Sequence, residues 1–236
     1  LTWMWGIPSS SSHALIGGVI GAVGVSAGFG ALNEQGILKI FLSLILSPVV
    51  AMVGGYIIMK VLLFIFGRFS PIALNDRFRN MQVLSAILMA FSHGSNDAQK
   101  AMGIITLTLL SGGYISTMDV PTWVKLACAT SMACGTAVGG WKIISTMGTK
   151  IFKMETINGF AADLNSALTI FTATFLHLPV STTHVVSGSI MGVGSSKRIK
   201  AVNWGVARSM VMAWCVTIPL SAIMSALIYE IGHFLF

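Results

Sequence analysis

A proline, a run of hydroxyl side chains and a histidine occur twice in this chain, as Ile7-Pro8-Ser9-Ser10-Ser11-Ser12-His13 and as Leu178-Pro179-Val180-Ser181-Thr182-Thr183-His184. The copies stand 171 residues apart, His13 to His184, and each leads into an apolar stretch with glycines at matched places, Gly17 and Gly21 against Gly188 and Gly192. Hydroxyls set among apolar residues need partners, because an unpaired polar group in such surroundings costs several kcal/mol. The repetition therefore predicts two half-sites that face one ligand.

Composition fixes the solvent of the fold. Apolar residues make up 55% of the chain and charged residues 9%, against about 25% charged in an ordinary soluble domain, and the mean hydropathy is +0.84. Apolar stretches at 14–31, 37–66, 83–111, 123–141, 157–178 and 205–229 are long enough to approach or exceed the ~30 Å of a bilayer core at ~1.5 Å per helical residue. The alternating ten-residue pattern of a membrane barrel is absent from the sequence. The predicted class is an all-α integral membrane protein.

The net charge of +7 does not point to nucleic acid, because the cations are partitioned along the chain. Arg68, Arg77 and Arg79, then Lys142, Lys150 and Lys153, then Lys197, Arg198, Lys200 and Arg208 alternate with the stretches 32–36, 112–122 and 230–236, which hold Glu34, Asp119 and Glu230 instead. The positive-inside rule makes the basic set cytoplasmic and the other set external. Both flanks of 157–194 are basic, and its second arm, 185–194, has ten residues, about 15 Å of helix. A re-entrant hairpin with 179–184 at its tip is predicted. The arm after the first cluster ends at a non-basic loop and the arm after the second at a basic one, so the copies open to opposite sides. That is the expectation for an inverted-repeat transporter with re-entrant half-helices. The division that follows is 1–66 as the remainder of a first repeat, 67–82 as a cytoplasmic connecting loop and 83–236 as the second repeat.

Within 83–111 the apolar run is interrupted by His93-Gly94-Ser95-Asn96-Asp97-Ala98-Gln99-Lys100. An acid before an apolar run is a cap signal and Gly94 permits a sharp turn, so a new helix is predicted to start near Asp97. A carboxylate at that depth costs about 2.5 to 3.5 kcal/mol on insertion scales and is a functional candidate by default; the plainer alternative is a cap for a broken helix. Asp163 is the second such acid, with a polar position near a cytoplasmic helix end as its plainer reading. Ser181, Thr182 and Thr183 stand at a predicted helix start, where unpaired N–H groups and the helix dipole favour an anion. His13 and His184 read as hydrogen-bonded spacers ahead of ligands or proton carriers. Trp3, Trp5, Trp123, Trp141, Trp204 and Trp214 read mostly as interface anchors. Cys128, Cys134 and Cys215 lie in apolar stretches without metal-ligand spacing and read as packing residues.

HGSNDAQK at 93–100, PSSSSHALIG at 8–17, GFAAD at 159–163, GGW at 139–141 and PVSTTH at 179–184 together resemble the inorganic phosphate transporter family, bacterial low-affinity permeases above all. The resemblance runs from end to end of the chain. It implies secondary symport of phosphate with Na⁺ or H⁺, an inverted-repeat fold, a homodimer, a multi-pass place in the plasma membrane, and neither a bound cofactor nor an enzymatic activity. The family's essential signature acid falls on Asp97, with Ser95 and Asn96 beside it. Its membrane acid falls on Asp163, one methylene shorter than the usual Glu, and its hydroxyl clusters on Ser10, Ser11 and Ser12 and on Ser181, Thr182 and Thr183. The first repeat's own copy of the signature would fall upstream of residue 1, so the chain is expected to be a fragment lacking its first helices.

The expected site follows. Ser10, Ser11, Ser12, Ser95, Ser181, Thr182 and Thr183 bind the anion; Asn96, Asp97 and Asp163 hold the coupling cation, with Asn96 and Asp97 as ligands if it is Na⁺. The nearest rival is a permease for sulfate or another tetrahedral oxyanion. An intramembrane hydrolase built on Ser181 and His184 is disfavoured by the duplication, since one nucleophile needs one base and one oxyanion site.

Overall fold

The computed structural model describes residues 6–69 and 71–235; Trp3 and Trp5, read above as anchors, lie outside the described residues. Helices account for the regular structure, with no strand among the described residues. They are α1 (Ser11–Ser26), α2 (Glu34–Phe66), α3 (Pro71–Ser111), α4 (Thr122–Val138), the short α5 (Trp141–Ser145) that runs into a π-helical turn (Thr146–Ile151), α6 (Thr156–Phe175), α7 (Thr182–Lys197) and α8 (Trp204–Leu235). α2 and α8, 33 and 32 residues long, are apolar enough to cross a membrane. Their outer faces carry exposed side chains such as Leu46, Val50, Ile57, Val216 and Ile228, as a helix against lipid should.

The sequence repeat is also a structural one. α1 and α7 each have 16 residues, begin and end 171 positions apart, and start with a serine cap: Ser10 Oγ accepts from the His13 N–H at 3.2 Å and Ser181 Oγ from the His184 N–H at 3.4 Å. Asn33 and Asn203 cap α2 and α8 in the same way. The halves exchange partners, for α1 packs along α8 and α7 along α2. Glycine permits both contacts. A Cβ on Gly188 or Gly192 would meet the Pro48 or Met52 carbonyl oxygen at 2.4 and 2.0 Å, and one on Gly17 or Gly21 the Ile218 or Ala222 oxygen at 2.4 and 2.0 Å. Asn165 on α6 ties α2 to α7, donating to the Ala51 oxygen at 2.8 Å and the Ser189 hydroxyl at 2.7 Å.

Four expectations need correction. α3 is continuous through 93–100 rather than restarting near Asp97: Asn96 and Asp97 find side-chain partners in Thr174 and Thr182 on neighbouring helices, so nothing requires the backbone bonds of α3 to open. α3 also begins at Pro71, inside the segment assigned to a connecting loop, because a proline fits the first turn, where no N–H partner is needed. The second arm of the hairpin is 16 residues rather than ten, about 24 Å, since the helix already starts at Thr182 behind its Ser181 cap and runs on through Ser195, Ser196 and Lys197. The hairpin itself is present, with Lys197 and Glu155 paired at 2.7 Å across its open end and His177, at φ 54°, turning the chain beyond α6. Finally, Trp214 is no interface anchor. It is 6% exposed, with its ring on His184 and its Nε1–H donating to the Pro8 oxygen at 3.1 Å, whereas Trp123, Trp141 and Trp204 are exposed.

Candidate functional site

The two hydroxyl clusters meet. The Ser12 hydroxyl donates to the Val180 oxygen at 3.2 Å and the Thr183 hydroxyl donates to the Ser9 oxygen at 3.2 Å. These bonds are images of each other under the 171-residue offset, which carries Ser12 onto Thr183 and Ser9 onto Val180. His13 and His184 lie with ring centroids 4.5 Å apart. α1 and α7 therefore approach head to head, and the positive ends of two helix dipoles point into one region.

Beside this junction lies a cavity of about 410 Å³ whose polar lining is Ser9, His93, Asp163, Thr182 and Thr183. Asp163 comes from α6 and the two threonines come from the first turn of α7. Thr182 joins the cavity to the signature acid, its hydroxyl donating to Asp97 Oδ2 at 3.1 Å. Asp97 is compensated on its own helix by Lys100 Nζ at 2.6 Å, with His93 Nε2 at 3.7 Å. Asn96 donates through Nδ2 to the Thr174 hydroxyl at 3.1 Å, while its Oδ1 is buried without a hydrogen-bond partner. An amide oxygen left bare in this way is a ready ligand for a hard cation, which takes oxygen donors.

The expected site residues thus divide. Thr182, Thr183 and Asp163 come together around the cavity, Asp97 adjoins it through Thr182, and Asn96 is tied instead to Thr174 of α6. Ser10 and Ser181 are buried and serve as helix caps, and Ser12 is held by Val180. Ser11 is exposed. Ser95 lies elsewhere, lining a cavity of about 1020 Å³ between α3 and α4 with Gln99 and Lys125. Sequence reasoning passed over Ser9, His93, Lys100 and Thr174. Lys100 had a signal, the three-residue spacing from Asp97 on one helix face; Ser9 was hidden because its repeat partner, Val180, is apolar. Of the three free thiols, Cys128 is buried, in accord with the packing role, whereas Cys134 and Cys215 are exposed.

Three comparisons bear on this arrangement. The sequence matches the phosphate transporter family over residues 1–75 and 70–225. It is 52% identical to a probable low-affinity inorganic phosphate transporter of Bacillus subtilis, covering 100% of this chain and 71% of that protein. It is 46% identical to one of Rhizobium meliloti, over 97% and 69% respectively. The fold superposes on a solved sodium-dependent phosphate transporter with a TM-score of 0.87 at 25% identity, over 99% of this chain and 76% of that one.

Proposed function

The chain belongs to the phosphate transporter family, and from that premise we propose that it carries inorganic phosphate across the plasma membrane with Na⁺ or H⁺, as a multi-pass symporter working by alternating access. The observation that carries this reading is the cavity beside the two helix starts, lined by the Asp163 carboxylate and by Thr182 and Thr183, whose hydroxyls donate to Asp97 and to the Ser9 oxygen and would rotate from those acceptors to meet an anion. Helix N-termini and hydroxyls suit a tetrahedral oxyanion without fixing a counter-charge to it. Of the remaining hydroxyls, Ser10, Ser12 and Ser181 shape the helix starts, while Ser11, which is exposed, and Ser95, which lines the cavity between α3 and α4, stand apart from this cavity and are tied to the anion by family resemblance alone.

Carboxylates beside the anion supply the coupling. Two like unit charges about 4 Å apart repel by about 4 kcal/mol at an effective dielectric constant of 20, so phosphate and Asp163 tolerate each other once a cation or proton stands between them, whereas Asp97 already has Lys100 as its counter-charge. Asn96 and Asp97 are the proposed holders of Na⁺, supported by the bare Asn96 Oδ1, with Asp163 as the second acid of the coupling set. Phosphate also suits the cavity better than sulfate, since a protonated phosphate oxygen donates to a carboxylate and sulfate offers no such proton. The reciprocal bonds between the clusters support the division into two inverted repeats, 1–66 and 83–236, and family resemblance adds a homodimer.

Uptake of radiolabelled phosphate into proteoliposomes, with Na⁺ and pH gradients imposed separately, tests the reading. One of the two gradients is expected to drive accumulation, and excess sulfate is expected to compete weakly. Accumulation driven by neither gradient would refute symport, and equal competition by sulfate would favour the broader oxyanion permease.

A further inference from the structure

Pro48 lies inside α2, so it has no N–H to give the carbonyl four residues earlier and its ring crowds that group. That carbonyl belongs to Leu44. It has two other donors, the Ser47 hydroxyl of its own helix at 3.3 Å and, from α7, His184 Nδ1 at 3.2 Å, and Leu44 and His184 are both buried, at 1% and 3% exposure. A carbonyl only accepts, so the proton of the neutral imidazole is on Nδ1. The ring is held from its other side by Trp214, with centroids 3.7 Å apart. Gly188 lets α7 come close enough, since its missing side chain would collide with the Pro48 oxygen.

His184 is in the first turn of α7, immediately after Thr182 and Thr183. We propose that Pro48 and His184 form a latch: the proline frees a lone pair on a carbonyl inside a membrane-spanning helix, the imidazole takes it beside the Ser47 hydroxyl, and the first turn of α7 is thereby fixed with its two threonines at the cavity. His184 is a positioning residue, and its effect on transport rests on the phosphate reading given above. The latch exists in one half only. α8 has its own proline, Pro219, but Gly17 meets Ile218 where Gly188 meets Pro48. Pro219 is thus one residue out of step, and the carbonyl it deprives, that of Cys215, is turned about 100° around the helix. His13, the repeat partner of His184, has a buried Nδ1 with no hydrogen-bond partner.

The test combines two readouts on reconstituted protein. His184→Phe and Pro48→Ala are each expected to raise the KM for phosphate about threefold to tenfold, the range of one net hydrogen bond, while the KM for the coupling cation moves less than twofold. The double variant is expected to be no worse than the more affected single, since both changes break one bond. Pro219→Ala combined with His184→Phe is expected to multiply, the two being uncoupled. His184→Asn, which keeps a donor near the Nδ1 position, is expected to retain most of the affinity and guards against a mere folding defect. Nitrogen NMR of labelled histidine in the membrane is expected to show His184 as the Nδ1–H tautomer and to lose that signature in Pro48→Ala. Effects of Pro48→Ala and His184→Phe that multiply, an unmoved phosphate KM, or an Nδ1–H signature that survives Pro48→Ala would each overturn the latch. The NMR arm needs no phosphate: a Pro48-dependent tautomer in protein that transports nothing upholds the latch and sinks the transport reading alone.

Discussion

The two halves share a scaffold and differ in chemistry. α1 and α7 agree in length, in their serine caps and in the glycines that seat them on α8 and α2, and even the left-handed residue before each cluster is repeated, Gly6 at φ 68° and His177 at φ 54°. Thr182 and its repeat partner Ser11 nevertheless meet different fates. Thr182 is 2% exposed and bonded to Asp97; Ser11 is exposed and faces no carboxylate among the described residues. Duplication supplied two helix starts aimed at one place, and what each start can bind depends on the helix that crosses behind it. α3, with Asp97 and Asn96, crosses behind α7.

The sharpest way to break that comparison is to remove the acid. Asp97→Asn is expected to reduce coupled uptake to less than a tenth of wild type while the protein still reaches the membrane, because loss of a required charged ligand exceeds 1.4 kcal/mol, or tenfold. The change also strips Lys100 of its 2.6 Å partner, which leaves a cation where the coupling ion is proposed to bind. Uptake within about twofold of wild type would remove Asp97 from the mechanism.

The shared scaffold is tested by changes that should act alike in both halves. Gly21→Ala and Gly192→Ala each put a Cβ 2.0 Å from a backbone oxygen of the facing helix, where no side chain can swing aside. Each is expected to destabilise the protein by about 3 kcal/mol, the upper part of the usual overpacking range, and to lower its melting temperature in detergent. Gly18→Ala, with open space at its Cβ, is the matched control. Unequal effects at Gly21 and Gly192 would show that the two interfaces are not mechanical equivalents.

How much of this could be read beforehand depends on whether the information is local. The helix start at the second cluster, the matched glycines and the meeting of the clusters were legible, because a hydroxyl run before an apolar stretch and a constant 171-residue offset are properties of the chain itself, whereas Ser10 and Ser181 were read as anion donors and are caps. The break near Asp97 was misread, since Gly94 and the acid carry a real cap signal, and only the partners brought by Thr174 and Thr182 explain why the helix continues. Trp214 was misread for the same reason: interface and core tryptophans look alike until His184 and Pro8 arrive from other elements. Asp163 was legible as an unusual acid, but its place beside Thr182 and Thr183 depends on α6 packing against both α3 and α7.

Between the clusters, Thr182→Ala is expected to raise the phosphate KM about tenfold and Ser11→Ala less than twofold. Thr182 lines the cavity and its hydroxyl holds the Asp97 carboxylate beside it, a bond to a charged group that is worth about 1.5 to 3 kcal/mol, whereas an exposed hydroxyl exchanges one water partner for another. Phosphate dependence measured at saturating cation distinguishes the two. Equal effects would mean that Ser11 reaches the anion in another conformation, which would restore functional symmetry to the halves.

The smallest effect is expected at the turn before the second cluster. His177 has the left-handed backbone that its repeat partner adopts as glycine, and a non-glycine residue there pays about 1 to 2 kcal/mol in steric strain. His177→Gly removes that strain but gives the unfolded chain more freedom, which costs about 0.5 to 1 kcal/mol. The net gain is therefore expected to be below about 1 kcal/mol, with the phosphate KM unchanged, because His177 is exposed and lies outside the cavity. The opposite exchange is not its mirror. Gly6→Ala meets the same strain and also brings a Cβ to 3.0 Å from that of Lys142, so it is expected to lower the melting temperature measurably while His177→Gly raises it slightly. If Gly6→Ala is neutral, the left-handed turn before the first cluster is not held in place by its surroundings, and the likeness of the two turns is a coincidence of conformation rather than a shared requirement.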